Sequence, residues 1–180
     1  MESTSTVTRY SRRARWFHWL SFLFVFLAYL LINLRGFPPR GSDARALIMQ
    51  SHMLAGLVVL ALVLPRLLHR FGHAPPPIMP PIASWEATLS RITHVALYAF
   101  LIVQPILGIL TVFAGGHAIT IPFTGLQIQS PMTGNHDLGE QLGNIHGWIG
   151  TVFYFVIGLH ILGALWHHFG RHDDTLRRMT

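Results

Sequence analysis

Three histidines, His146, His160 and His167, stand fourteen and then seven residues apart in the apolar run HGWIGTVFYFVIGLHILGALWHH. Fourteen residues turn an α-helix through almost four revolutions, so His146 and His160 share one face about 21 Å apart, with His167 about 10 Å further along. An imidazole in hydrocarbon is costly unless it meets a partner, and a metal or a metal-bearing cofactor is the economical partner for several. Three more histidines fall at matching depths in other apolar segments: His18, His52 and His94. His52 and His146 form one cross-helix pair. His160 forms a second with either His18 or His94, and spacing leaves that choice open.

The donor set narrows the cofactor. The apolar spans contain no Asp or Glu, which argues against oxygen-rich metal centres and di-iron carboxylate bundles. Zinc accepts imidazole, but two separate two-histidine layers do not make its usual four-ligand site. Haem iron needs only two axial ligands from the protein, so two pairs at two depths fit two non-covalent b haems. The chain has no cysteine, which excludes disulfides, thiolate centres and thioether attachment of haem. Gly56 and Gly150 each follow a histidine by four residues, so they share its helix face and leave room for a flat macrocycle. Iron held by two imidazoles has no open position, which favours one-electron transfer over oxygen chemistry.

The histidines need a scaffold, and the composition supplies one. The 180-residue chain is 51% apolar and only 11% charged. About 20 apolar residues cross a bilayer as a helix. Four such spans are expected: Trp16–Leu34, Leu47–Leu68, Ile92–Ala114 and Ile145–Phe169. The fold class is therefore an all-α integral membrane protein, a four-helix bundle holding two haems. Residues 1–15 and 170–180 read as tails flanking a membrane domain of residues 16–169.

All thirteen basic residues are arginine. They border apolar segments rather than forming a stripe on a polar fold, so nucleic acid is not the expected partner. Ten of them lie in the two tails and the second connection, and three, Arg35, Arg40 and Arg45, in the first connection. The positive-inside bias then puts both termini in the cytoplasm. APPPIMPP, Ala74–Pro81, reads as a stiff connector, and residues 115–144 as an outward loop with turns at PFTG and PMTG. His69, His73, His117, His136 and His172 fall in loops or tails.

Two places suit electron entry and exit. The outer cluster RGFPPRGSDAR, Arg35–Arg45, opposes the topology bias and is placed to attract a small anion or to cap haem propionates. Inside, His167 lies beyond His160 and is placed to hydrogen-bond a quinone carbonyl and pass it a proton. No nucleotide or flavin fingerprint is present, so the partners are lipid-soluble, small, or another protein.

FHWL at 17–20, LRGFPPR at 34–40, the helix around His52, THVALYAFLIVQPILG at 93–108, YFVIGLHILGALWHHF and the terminal DDTLRRM together resemble the bacterial cytochrome b561 family over nearly the whole chain. The likeness is greatest to its superoxide-oxidising members. That resemblance implies two b haems held through their iron by His18, His52, His146 and His160, and it favours His18 over His94. It also implies an inner-membrane oxidoreductase that takes electrons from superoxide near Arg35, Arg40 and Arg45 and delivers them to ubiquinone near His167. Residues 115–144 depart most from the family's pattern, which bears on the substrate entrance and not on the haem scaffold. Two other readings stand beside it: a cytochrome b subunit that docks to a dehydrogenase or hydrogenase as its redox partner, and a haem-free structural or transport bundle.

Overall fold

The computed structural model describes residues 9–180, so the first eight residues of the N-terminal tail lie outside the described residues. Four helices carry the chain: α1 Arg12–Leu34, α2 Asp43–Gly72, α3 Ser84–Ala114 and α4 His136–Phe169. All four are long and apolar enough to cross a membrane. The protein is an all-α, four-helix membrane bundle. Its apolar side chains point outward as well as inward, with Phe26, Phe155, Leu159 and Leu162 exposed, as expected of a bundle solvated by lipid. The packed interior is small and centres on Val59, Val63 and Leu101.

Each helix starts on a polar device, because the first backbone N–H groups of a helix have no internal acceptor. The Ser11 hydroxyl accepts from Ala14 N–H, Ser42 from Arg45 N–H and the Asn135 side chain from Leu138 N–H. At α3 the Glu86 carboxylate reaches back to the N–H of Ala83 at 2.8 Å. These caps carry the helices past the apolar spans. Helix α4 begins at His136, so the expected loop of residues 115–144 ends nine residues early. Asn135 and Asp137 supply the start signal, and polar turns can remain helical above the bilayer. Strands β1 Ile119–Thr120 and β2 Gln127–Ile128 pair antiparallel across the PFTG turn.

Helix α1 packs chiefly on α2, and α3 on α4, with α2 and α3 joining the two hairpins. Glycines set the closest approach of α4 to the end of α3. A Cβ at Gly139 would lie 2.9 Å from the backbone nitrogen of Gly115. At the other end the termini and the proline-rich connector are clasped together. Tyr10 N–H donates to the Arg178 carbonyl, Trp19 Nε1–H to the Met179 carbonyl at 2.8 Å, and the Arg178 guanidinium to the Pro76 carbonyl. Met79 N–H donates to the Asp174 carboxylate, and Asp174 N–H returns the bond to the Met79 carbonyl. The segment after Phe169 is thus folded against the bundle, with Asp173, Asp174 and Arg178 buried.

Candidate functional site

The histidines meet across the seam between the two hairpins. His52 on α2 and His146 on α4 have ring centroids 6.2 Å apart, and His18 on α1 and His160 on α4 are 6.4 Å apart. A metal–imidazole bond is about 2.0 Å. Two such bonds plus the half-widths of two rings come to about 6 Å, which is what both pairs offer. Among the described residues, no group of three or more His, Cys, Asp or Glu gathers around a common point. A metal held by one of these pairs would need a group that brings the rest of its own coordination sphere.

The outer pair is pre-set for that role. His52 Nδ1–H donates to the Ala28 carbonyl at 2.8 Å, and His146 Nδ1–H to the Gln104 carbonyl at 3.1 Å. Tying Nδ1 to a backbone carbonyl leaves Nε2 as a bare lone pair, the usual second-shell device of metal-ligating histidine. Both rings line a cavity of about 290 Å³, near the lower end of small-molecule sites at about 300–1,000 Å³. Gly56 and Gly147 line it, and an added Cβ at either would meet nothing within 4 Å. Gly150 also lines it and packs more tightly: its added Cβ would lie 3.2 Å from Gln104 Nε2, and its carbonyl accepts from the Tyr29 hydroxyl at 2.7 Å. Gly108 on α3 makes room for the His146 side chain itself, since a Cβ there would come within 3.2 Å of His146 Cε1.

The inner level is less pre-set. The Arg66 guanidinium donates to His18 Nδ1 at 3.2 Å, so here His18 carries its proton on Nε2. His94 also approaches His160, at 5.6 Å between centroids, and its Nδ1 lies 3.3 Å from the Ser90 hydroxyl. His94 lines a second cavity of about 440 Å³ with Arg70, Arg91 and Tyr98. The structure therefore brings both sequence candidates to His160.

The outer arginines sit where the sequence put them, between α1 and α2. Arg35 and Arg40 are exposed, and Arg45 is half-buried with its guanidinium 3.4 Å from the Pro38 carbonyl. None of the three is in an ion pair among the described residues. His167 lies in the last turn of α4, with Nδ1 2.5 Å from the Asp173 carboxylate. His69 closes α2 and meets the Ser11 hydroxyl at 3.0 Å, while His73, His117, His136 and His172 are exposed.

Imidazoles are thus paired at two levels of a membrane bundle, with Nδ1 pinned at the outer level. A profile of the prokaryotic cytochrome b561 family matches residues 9–180. The chain belongs to the prokaryotic cytochrome b561 family. It is 32% identical over 173 residues to cytochrome b561 homolog 1 of Escherichia coli K12, covering 96% of this chain and 97% of that one. It is 36% identical over 162 residues to a Yersinia pestis protein described as a probable superoxide oxidase, covering 90% of each. Cytochrome b561 homolog 2 of Escherichia coli K12 is 28% identical over 183 residues. This cytochrome b561 family chain is a multi-pass membrane protein of redox character, and the family's cofactor is haem b.

Three residues of the site escaped the sequence reading. Gln104 carried a signal, as an amide inside an apolar span. Its Nε2–H donates to the His146 carbonyl at 2.8 Å. Tyr29 looked like one aromatic among many. Asp173 sat in a terminal segment whose docking only the tertiary fold reveals.

Proposed function

We propose that this cytochrome b561 family protein is a di-haem b superoxide:ubiquinone oxidoreductase of the bacterial inner membrane, with both termini cytoplasmic. Two superoxide ions are oxidised to two molecules of oxygen at the outer face. One ubiquinone with two cytoplasmic protons becomes ubiquinol at the inner face. The observation that carries the reading is the pair of histidine approaches, 6.2 and 6.4 Å, on two levels of one seam. The likeness to a probable superoxide oxidase supports the choice of substrate. Orientation follows the arginine bias.

His52 and His146 would hold the outer haem, and His18 and His160 the inner one once Arg66 releases His18 Nδ1. The haems, when bound, supply one-electron carriers at two depths. Arg35, Arg40 and Arg45 form an unpaired cationic rim at the outer end, which raises the local concentration of a small anion. The apolar walls keep bulk water from the seam. At the inner end His167 meets the quinone oxygen and gives it a proton.

The test is haem content followed by a superoxide pulse in stopped flow. Two b haems per chain, reduced by superoxide faster than by the quinol background, are expected. The triple variant R35Q/R40Q/R45Q should slow that reduction about tenfold or more and flatten its salt dependence. No reduction above background would sink the proposal. A chain that ignores superoxide and copurifies with a dehydrogenase would instead be a docking subunit.

A further inference from the structure

Three buried acids meet where the C-terminal segment folds onto the bundle, and two of them are neutralised by arginine. Glu86 from α3 is held by Arg171 at 2.7 Å, and Asp174 by Arg178 at 3.5 Å. Asp173 is different. It is 2% exposed, and among the described residues no arginine pairs with it. One carboxylate oxygen lies 2.5 Å from His167 Nδ1, and the other accepts the backbone N–H of Thr175 at 2.9 Å. A buried carboxylate without a compensating charge is expensive. The one group facing Asp173 that can supply that charge is His167. With Nδ1 committed, His167 Nε2 has no hydrogen-bond partner among the described residues, and it is not one of the buried unpartnered atoms. The Asp173 contact therefore fixes which nitrogen of His167 is free to act.

We propose that Asp173 is the positioning residue of the inner quinone site: it holds His167 Nδ1–H, fixes the ring so that Nε2 meets the quinone, and compensates the imidazolium that carries the proton. The inference rests on the assignment of His167 to ubiquinone made above. In the balanced step, ubiquinone gains two electrons, originating from two superoxide ions, and two protons. One proton comes from His167 Nε2–H, the Nε2–H bond breaking as the quinone O–H bond forms. The second proton reaches the other quinone oxygen from the cytoplasm, the imidazole is reprotonated from the same side, and Asp173 stays ionised throughout. The arrangement is that of a histidine oriented by a buried carboxylate. The neighbouring ion pairs, Glu86–Arg171 and Asp174–Arg178, are closed and hold the segment in place without touching His167 Nδ1.

The experiment compares Asp173→Asn, Asp173→Glu, His167→Asn and Asp174→Asn in the full-length, haem-loaded protein, using superoxide as donor and a short-chain ubiquinone as acceptor. Asp173→Asn keeps an acceptor for Thr175 but presents no charge to His167. It should lower kcat about ten- to a hundredfold with KM for quinone changed less than about twofold. The shape of its pH–rate profile should change. Asp173→Glu should restore part of the rate. Asp174→Asn loosens the same segment and should leave the pH profile in place. A second readout is the 15N spectrum of histidine-labelled protein, in which the resonance missing from His167→Asn should change on Asp173→Asn.

The outcomes separate the two readings. If His167→Asn reduces quinone as fast as the parent, the quinone assignment falls and the dyad with it. If His167→Asn is impaired while Asp173→Asn matches the parent in rate and profile, the role of Asp173 alone is overturned. Equal shifts in Asp173→Asn and Asp174→Asn would reduce Asp173 to a structural anchor and overturn the proposal as well.

Discussion

At the scale of single residues, the hydrogen bonds on Nδ1 separate the histidines. His52 and His146 give Nδ1–H to backbone carbonyls and keep Nε2 bare, whereas His18 receives a hydrogen bond from Arg66. His94 lies closer to His160 than His18 does, yet it is on the α3 side of the ring and beside the second cavity. The proposed ligand set makes a clear stoichiometric prediction. His52→Ala and His18→Ala should each purify with one haem, and His94→Ala with two, by pyridine haemochrome. Two haems in His18→Ala and one in His94→Ala would exchange their roles. Asp173 carries the pH dependence. Burial acts to raise its carboxyl, but the hydrogen bonds from His167 and Thr175 outweigh this and hold it below the ordinary carboxylate range. A depressed acid stabilises the fold above its unfolded pKa, and that contribution is lost as pH falls through the folded value. Docking of residues 173–180 should therefore weaken as pH falls below about pH 4, read as faster hydrogen exchange in that segment.

At the scale of elements, backbone spacing matters more than side-chain chemistry. Gly139 lets the first turns of α4 lie against Gly115, and Gly116 and Gly134 approach each other in the same corner. A methyl group at position 139 has only backbone to push against. Gly139→Ala should lower stability by about 1–3 kcal/mol, seen as a lower Tm in detergent. Gly147→Ala, which opens onto the cavity, should leave Tm of the haem-free protein unchanged. The helix limits were only partly legible. Apolar windows located the bilayer-crossing portions, but Ser11, Ser42, Glu86 and Asn135 decided where each helix starts. For α4 that start lies nine residues before the apolar run, inside a stretch whose glycine and polar content reads as loop.

At the scale of the whole molecule, two hairpins are bound together by the α2–α3 core around Val59, Val63 and Leu101 and by hydrogen bonds along the seam. Tyr29 to the Gly150 carbonyl and Asn33 to the Tyr154 hydroxyl are two of them. The terminal clasp supplies further ties, because Tyr10, Arg15 and Trp19 from α1 and its approach reach the last residues of the chain. Removing residues 171–180 should lower Tm in detergent. It should also expose the connector Ala74–Pro81 to limited proteolysis while leaving the outer haem in place. Loss of both haems on that truncation would show that the clasp, and not the seam, aligns α1 with α4.

The sequence by itself determined the membrane class, the four spans, the depth of each histidine and the two-level logic, because hydropathy and helical rise are properties of one segment at a time. FHWL, RGFPPR and DDTLRRM carried the family likeness for the same reason. Which residues touch across segments was decided only by the tertiary structure. The Ala28 and Gln104 carbonyls, the Arg66 contact to His18 and the folding of Asp173 onto His167 depend on how helices pack and where a short terminal segment turns back. Buried charge then selects among those arrangements: a carboxylate taken out of water must find a partner, and for Asp173 the fold offers His167.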